Sequence, residues 1–484
     1  MAEYIEAKDV LNQGREKINE FAIAPALRAE NNSNDAKNIA IESNQISSES
    51  KDIANNTDNR LDNIIAGEMQ DGEVIDARGE YDLLGNRLND MPSKEELVLI
   101  PNFEFETLGG VRNIFRDILN SVSSGIDISK YNFIWLTDLH YDRGALYNEI
   151  SLRYGITHLY NALSLSNKLD GIVLGGDNSD CSGIYDSPKN HVKNQHRQLA
   201  TKLFAYSKAP LNALLKGNHD DGSSQAALRK SYFMEKNIRN KFLKPEYFMS
   251  DSDFAEVYRQ NELLSGEIRN NGSNYFYHDN LEKKVRFIGL DSADVSQELD
   301  ENGYVKYPRQ HFSGFQQSQI DWLANEALIA PENYTIVIGI HHPLESVFEI
   351  YPGNDYDTEK SSAINHDIIL QLLNAFKIKG RGNVQNSIGD TRMPVSVDYD
   401  FSTANAEIAF CIYGHIHNDG DVVKDGILHI KSCCSQNESV QYNRSISTFN
   451  TLKEECFDVI ELDTASKKIT MRRIGAGNDR EFTY

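Results

Sequence analysis

The stretch Phe133-Ile-Trp-Leu-Thr-Asp-Leu-His140 decides the reading of this chain. Four apolar residues read as a buried strand, and a carboxylate and an imidazole two residues apart follow almost at once. The same arrangement recurs four times downstream. Ile172–Leu174 runs into Gly176-Asp177, and Leu211–Leu215 into Gly217-Asn218-His219-Asp220. Ile336–Ile340 runs into His341-His342-Pro343, and Ile408–Tyr413 into Gly414-His415-Ile416-His417. Polar residues at strand ends converge on one edge of a sheet, where open α/β sheets build their sites. The pattern predicts an α/β domain with Asp, Asn and His side chains gathered at that edge.

Such a mixture suits a pair of divalent cations. A carboxylate can face two cations with its two oxygens, while imidazoles and an amide oxygen fill the remaining positions without excess negative charge. Two ions about 3.5–4 Å apart activate a water and neutralise phosphoryl oxygens. No one of the five motifs is specific. In this order the set resembles the signature of the calcineurin-like metallophosphoesterase superfamily, DxH, GD, GNH[DE], H and GHxH, over residues 131–432.

The resemblance implies a four-layer αββα sandwich and two divalent ions, manganese, iron or zinc. It implies that Asp138, His140 and His417 hold the first ion, that Asp177 bridges, and that Asn218, His341 and His415 hold the second. His341 is preferred to His342 because the family pattern is His-x-Pro. His219 is then the group that faces the phosphate and protonates the leaving oxygen, with Asp220 orienting its ring. Tyr141, Asp142, Arg143 and Asn178 flank ligands and are candidates to line a substrate pocket. His278 and His429 lie in strand-like runs and read as core residues, Asp291 as a turn residue after the Val285–Leu290 strand. Gly175-Gly176 reads as a tight turn, since no GxGxxG or Walker pattern is present.

The chain has 484 residues, with 49 basic against 72 acidic residues and a net charge of −23. A nucleic-acid binder normally carries a basic face, so extended nucleic-acid binding is disfavoured. No apolar run approaches the roughly 18 residues of a membrane span. The opening Met1-Ala-Glu-Tyr-Ile-Glu6 lacks the basic start and apolar core of a signal peptide, so secretion by that route is not expected. The 5 cysteines form no CxxC pair. Cys411 and Cys433-Cys434 read as inert core thiols rather than a disulfide framework.

Residues 1–70 have a different texture, rich in Asn, Ser, Ala, Asp and Glu and without an aromatic after Phe21. Ile39, Ile46 and Ile53 recur every seven residues, with Leu61 one step late and Ile64 close by. This thin heptad seam predicts a helical coiled-coil segment that gains stability by self-association, with a solvated linker helix as the alternative. Asp71-Gly-Glu-Val-Ile-Asp-Ala-Arg-Gly-Glu-Tyr-Asp-Leu-Leu-Gly-Asn-Arg-Leu-Asn-Asp90 resembles a segment of tail-fibre and baseplate proteins of phages of Gram-positive bacteria. Leu11-Asn-Gln-Gly-Arg-Glu-Lys-Ile-Asn-Glu-Phe21 and Pro25-Ala-Leu-Arg-Ala-Glu30 are similar to the start of such proteins. The resemblance implies an attachment segment at 1–70, a connector at 71–130 and the enzymatic domain at 131–484.

Within that domain Ile156–Leu169 and Gln195–Tyr206 read as helices, and Ser313 as the cap of a helix running to about Leu328. Val459–Leu462 and Lys468–Ile474 read as a closing hairpin, and 351–365 and 380–406 as surface loops. Val111–Leu119 reads as a helix packed on the domain, its role open.

Taken together these features predict a phage tail-associated phosphoesterase on the virion, assembled in the host cytoplasm with other tail or baseplate proteins as a homo-oligomer, a trimer. Its expected substrate is the phosphodiester backbone of cell-wall teichoic acid, cleaved by direct attack of an activated water without a covalent enzyme intermediate. The alternatives are a nucleotide or phospholipid phosphodiesterase or phosphatase, and a non-catalytic receptor-binding tail protein.

Overall fold

A computed structural model describes residues 110–141, 150–180, 188–223, 244–349, 362–386, 392–436, 441–444 and 448–484, all within the unit Lys94–Tyr484. The heptad segment, the stretch 71–90 and Arg143 lie outside the described residues. Helix α1 (Arg116–Gly125) precedes β1 (Tyr131–Leu136). Helix α2 (Ile150–Ser164) leads to β2 (Gly171–Leu174), and α3 (Pro188–Tyr206) to β3 (Leu211–Leu214). Helix α4 (Asp251–Val257) is followed by β4 (Ile268–Arg269), β5 (Phe276–Asn280), β6 (Val285–Leu290) and β7 (Ser313–Gly314). Helix α5 (Gln317–Trp322), β8 (Thr335–Ile340), β9 (Ala363–Ile364) and α6 (His366–Lys377) come next. The chain closes with β10 (Arg381–Gln385), β11 (Ser396–Asp400), β12 (Glu407–Tyr413), β13 (Gly420–Lys424), β14 (Ile427–Lys431), β15 (Cys456–Asp463), β16 (Lys468–Gly475) and β17 (Arg480–Thr483).

Two large sheets result. The first runs β17-β16-β15-β1-β2-β3 and the second β13-β14-β12-β8-β6-β5-β4. Each has a parallel centre: β1, β2 and β3 in one, β6, β8, β12 and β14 in the other. Central strands covered on both faces need apolar side chains on both, which is why β1 and β8 are buried at every position.

Alternation along β1 shows how the layers divide. Tyr131, Phe133 and Trp135 point to the second sheet and pack with Phe287, Val337 and Phe410. Phe133 lies edge-on to Phe287 with ring centroids 5.5 Å apart. Ile134 and Leu136 point the other way, into a core with Leu119 of α1, Leu159 and Leu163 of α2, Leu199 of α3 and Phe254 of α4. On the far side, Ile336, Ile338 and Ile340 of β8 meet Ile320 of α5 and Ile369, Leu372 and Phe376 of α6. Helices, sheet, sheet and helices therefore stack in that order.

Several sequence expectations shift. The segment from Val111 to Ile126, where a helix packed on the domain is one reading, packs into the first core through Val111, Phe115, Leu119, Val122 and Ile126, with the helix at Arg116–Gly125. Ser313 does not cap a helix. It pairs with Ala363 in a short bridge, and α5 starts at Gln317 after Gln316. Residues 380–406 are not a plain loop, because β10 and β11 form an antiparallel hairpin. Both strands are largely exposed, and Val384, Val397 and the partly buried Tyr399 anchor them to the second core. The closing hairpin pairs Cys456–Asp463 with Lys468–Gly475. His278 and His429 lie on β5 and β14. Cys411, Cys433, Cys434 and Cys456 are buried thiols that form no disulfide among the described residues.

Candidate metal centre

The C-terminal ends of the parallel strands meet at one edge of the sandwich. Asp138 and His140 follow β1, Asp177 follows β2 and Asn218 follows β3, all from the first sheet. His341 follows β8, and His415 and His417 follow β12, from the second. Backbone bonds join these loops: Asp138 N donates to Gly176 O and His140 N to Asp177 O, each at 2.9 Å. Gly414 N donates to His341 O at 3.0 Å.

The loops are bent in an unusual way. Asp138 (φ 54°), His140 (φ 43°), Asp177 (φ 49°), His415 (φ 70°) and His417 (φ 59°) all adopt the left-handed region. Side-chain-bearing residues seldom do so, and clusters of such strain mark functional sites. The neighbouring glycines are sterically required. Gly176 has φ +97°, and a Cβ on Gly217 would come within 2.6 Å of His341 Nε2.

Two groups of side chains face one another. His140 Nε2 and His417 Nε2 are 3.1 Å apart, and His417 Nε2 lies 3.3 Å from Asp138 Oδ1. Asp138 Oδ2 accepts from Thr137 Oγ1 at 2.7 Å and from His415 N at 2.9 Å, which aims the other oxygen inward. In the second group Asp177 Oδ2 is 3.3 Å from His341 Nε2, and Asn218 Oδ1 is 2.9 Å from His415 Nδ1. Asp177 Oδ1 accepts from His219 N at 2.8 Å. Ligand atoms of Asp138, His140 and His417, and of Asp138, Asp177 and His341, lie within 4.8 Å of one another.

The hydrogen bonding of His341 tests whether a cation fits. Its Nδ1 lies 2.9 Å from Gly175 O, and a carbonyl can only accept, so Nδ1 carries the hydrogen. In the neutral ring Nε2 then presents a lone pair to the Asp177 carboxylate, and this buried nitrogen makes no hydrogen bond. Lone pair against carboxylate is repulsive unless positive charge lies between them. Burial pushes the His341 pKa down, but the charges of Asp177 and Asp138 hold it up to about 9, the same demand met by a proton. Burial and the charge on His341 push His415 down to about 3, leaving a neutral imidazole able to act as ligand. The donor set therefore fits divalent cations.

His342 is also near, its ring centroid 4.4 Å from that of His415. Its Nδ1 lies 2.8 Å from Ser292 Oγ, and a ring nitrogen of His342 lies within 4.8 Å of ligand atoms of His341 and His415. Of the adjacent pair, His341 is the one that faces the carboxylate.

Three placements differ from the sequence reading. Asp220 does not orient His219. Its carboxylate accepts from Gly217 N at 2.8 Å and from Ser179 N at 2.9 Å, folding the loop back on itself. Burial and the charge on Asp177 push its pKa up to about 7. The carboxylate beside His219 belongs to Asp180, whose Oδ1 is 3.5 Å from His219 Nδ1 and whose Oδ2 is 3.2 Å from His140 Nδ1. Burial opposes ionisation of Asp180, but the charges and hydrogen bonds of His219 and His140 hold it well below the usual carboxylate range. Tyr141 and Asn178 do not line a pocket. Tyr141 is buried in the first core with its OH on Gln198 at 2.8 Å. Asn178 donates to Leu215 O at 2.8 Å and Asp220 Oδ2 at 3.1 Å. Sequence reasoning also passed over Thr137, though its place beside Asp138 was a usable signal.

No protein-family model matches the chain, and no curated protein matches it. Among solved structures it is similar to GAP50, the anchor in the inner membrane complex of Plasmodium, at 14% identity and TM-score 0.34 over 73% of this chain and 89% of that one. It is similar to a conserved uncharacterised protein of Streptococcus pneumoniae, described as a predicted phosphoesterase, at 11% identity and TM-score 0.23 over 73% and 98%. A third similarity is to the phosphopantetheinyl hydrolase PptH of Mycobacterium tuberculosis, at 11% identity and TM-score 0.30 over 64% and 91%. No helix among the described residues is long and apolar enough to cross a membrane.

Proposed function

We propose that this chain is a metal-dependent phosphoric ester hydrolase carried on a phage tail, acting on the phosphodiester backbone of bacterial cell-wall teichoic acid. The observation that supports the catalytic part is His341 Nε2 lying 3.3 Å from Asp177 Oδ2 where the strand ends meet, a pairing that calls for positive charge, which a bound cation would supply. Asp138, His140 and His417 would hold one divalent ion, Asn218, His341 and His415 a second, and Asp177 both. Bound there, the ions would supply water activation and neutralisation of the phosphoryl oxygens.

The remaining work falls to the chain's own residues. His219 is 15% exposed in its side chain, its ring centroid 4.7 Å from that of His140, so it borders the site and can reach a substrate. Its Nε2 would give a proton to the departing oxygen, while Asp180 beside Nδ1 keeps the ring oriented and favours its charged form.

The substrate, the virion location, the tail and baseplate partners and the trimeric state rest on the likeness of residues 11–30 and 71–90 to phage tail proteins. A net charge of −23 opposes binding of a polyanion, so turnover on teichoic acid should be sensitive to salt as well as metal. The test is incubation of manganese-loaded protein with isolated wall teichoic acid, following release of small phosphorylated products, with Asp177→Ala as control. Release lost in the control supports the reading. Hydrolysis of a simple phosphodiester without release from teichoic acid would move the substrate to nucleotides or phospholipid head groups.

A further inference from the structure

The proposed centre is assembled from two separate sheets, so something must fix the distance between its halves. Asp138, His140, Asp177 and Asn218 hang from the first sheet, and His341, His415 and His417 from the second. Behind them lies a cluster of charge that the reaction does not use. Lys216, two residues before Asn218, is buried with its side chain 2% exposed. Its ammonium is 2.9 Å from Asp291 Oδ2 and also contacts Asp251. Asp291 is one residue past Leu290, which pairs with Ile340 at the end of β8, so Asp291 and His341 leave neighbouring strands side by side. The carboxylate is itself fixed: Asp291 Oδ1 accepts from Ala293 N at 3.0 Å, and its backbone N donates to Gln319 Oε1 at 2.8 Å.

We infer that Lys216 is a positioning residue, whose buried ion pair with Asp291 clips the β3 loop of the first sheet to the β6–β8 edge of the second and so sets the spacing between Asn218 and His341. The contact is sensitive because Gly217, the residue between Lys216 and Asn218, is packed against Asp177 on its own sheet and against His341 on the other, with no room for even a methyl group. A small movement of the Lys216 backbone is passed directly to that ring. Asp138, His140 and His417 hang on other loops, tied by His140 N to Asp177 O and by Gln436 N to Asp138 O. The clip should therefore govern the Asn218–His341–His415 position and leave the Asp138–His140–His417 position largely alone.

The inference rests on the two-cation reading above. Calorimetric titration of metal-free protein with manganese tests both, separately: the wild-type stoichiometry tests that reading, and the difference between wild type and variant tests this one. In Lys216→Met the wild-type pair of ions should give way to one ion of unchanged affinity and one weakened at least tenfold, with loss of the spin-coupled dimanganese resonance signal. Lys216→Arg, which retains a cation, should restore part of the second affinity. If Lys216→Met fails to fold, Lys216→Met with Asp291→Asn removes the pair without leaving a lone buried charge, and the same selective weakening is expected. Equal affinities for both ions in the folded variants, or equal loss at both positions, would overturn the inference.

Discussion

Asp180 Oδ1 lies 3.5 Å from His219 Nδ1, so the carboxylate that addresses this histidine comes from the β2 loop, not from the residue next to it in sequence. The same carboxylate reaches His140 Nδ1 at 3.2 Å through its other oxygen. One buried group thus supports a candidate ligand and the candidate proton donor together.

Replacement of Asp180 and of Asp220 should have different consequences. Asp180→Asn should weaken manganese binding by about 10–100-fold through His140. It should also lower kcat by about 100-fold or more, with the alkaline limb of the pH–rate profile moved to lower pH as His219 loses its counter-charge. Asp220→Asn should leave that limb in place and act mainly on thermal stability, because its partners are Gly217 N and Ser179 N. Identical pH–rate profiles for Asp180→Asn and wild type would contradict the role given to Asp180.

Gly217→Ala is a steric test of the convergence itself. The added methyl would sit 2.6 Å from His341 Nε2 and closer still to Asp177 Oδ1 and Asp177 N, so the strand ends of both sheets leave it nowhere to go. We expect destabilisation of about 1–3 kcal/mol, as for other overpacked positions, with loss of metal-induced thermal stabilisation. A variant that melts at the wild-type temperature and still gains stability from manganese would show that the two loops are not in contact.

Much of this arrangement was legible in the sequence, because it needed only strand ends. The runs Phe133–Leu136 and Ile336–Ile340 are apolar on both faces, as only doubly covered strands can be, and their motifs follow directly. What escaped reading depended on space rather than order. Asp180 reaches His219 because the left-handed turn at Asp177 (φ 49°) redirects the chain, and nothing in Asp177-Asn-Ser-Asp180 announces that turn. The β10–β11 hairpin escaped because Arg381, Gly382 and Asn383 are exposed in succession, leaving Ser396-Val-Asp-Tyr-Asp400 as a short alternating run without a recognisable partner. Tyr141 was misplaced because a residue beside a ligand can point either way, and its ring turns into the helix-covered core.

The C-terminal hairpin makes a prediction about acid stability. Asp458 is buried between Arg473, at 2.7 Å, and Arg480, at 2.9 Å. Burial alone would raise its pKa, but the two guanidinium groups outweigh it and hold the carboxyl below its ordinary value. A folded value below the unfolded one, about 3.9, contributes stability that is complete above that value and is lost as pH falls through the lower folded value. Arg473→Met should therefore cost about 1.5–3 kcal/mol at pH 7, where it leaves the buried carboxylate to Arg480 alone, and less near pH 3, where the carboxylate can be protonated. Urea unfolding of both proteins at the two pH values measures this. A cost independent of pH would mean that Arg473 acts through packing alone.

The central claim is that strand ends from two sheets meet to form a two-cation hydrolytic site. It is tested most directly by adding manganese stepwise to metal-free protein while following hydrolysis of a chromogenic phosphodiester, with Asp177→Ala alongside. The account predicts no turnover without metal, a rise that saturates at two equivalents, and none at any concentration in the variant. Turnover by the metal-free protein, or by Asp177→Ala at the wild-type rate, would contradict it.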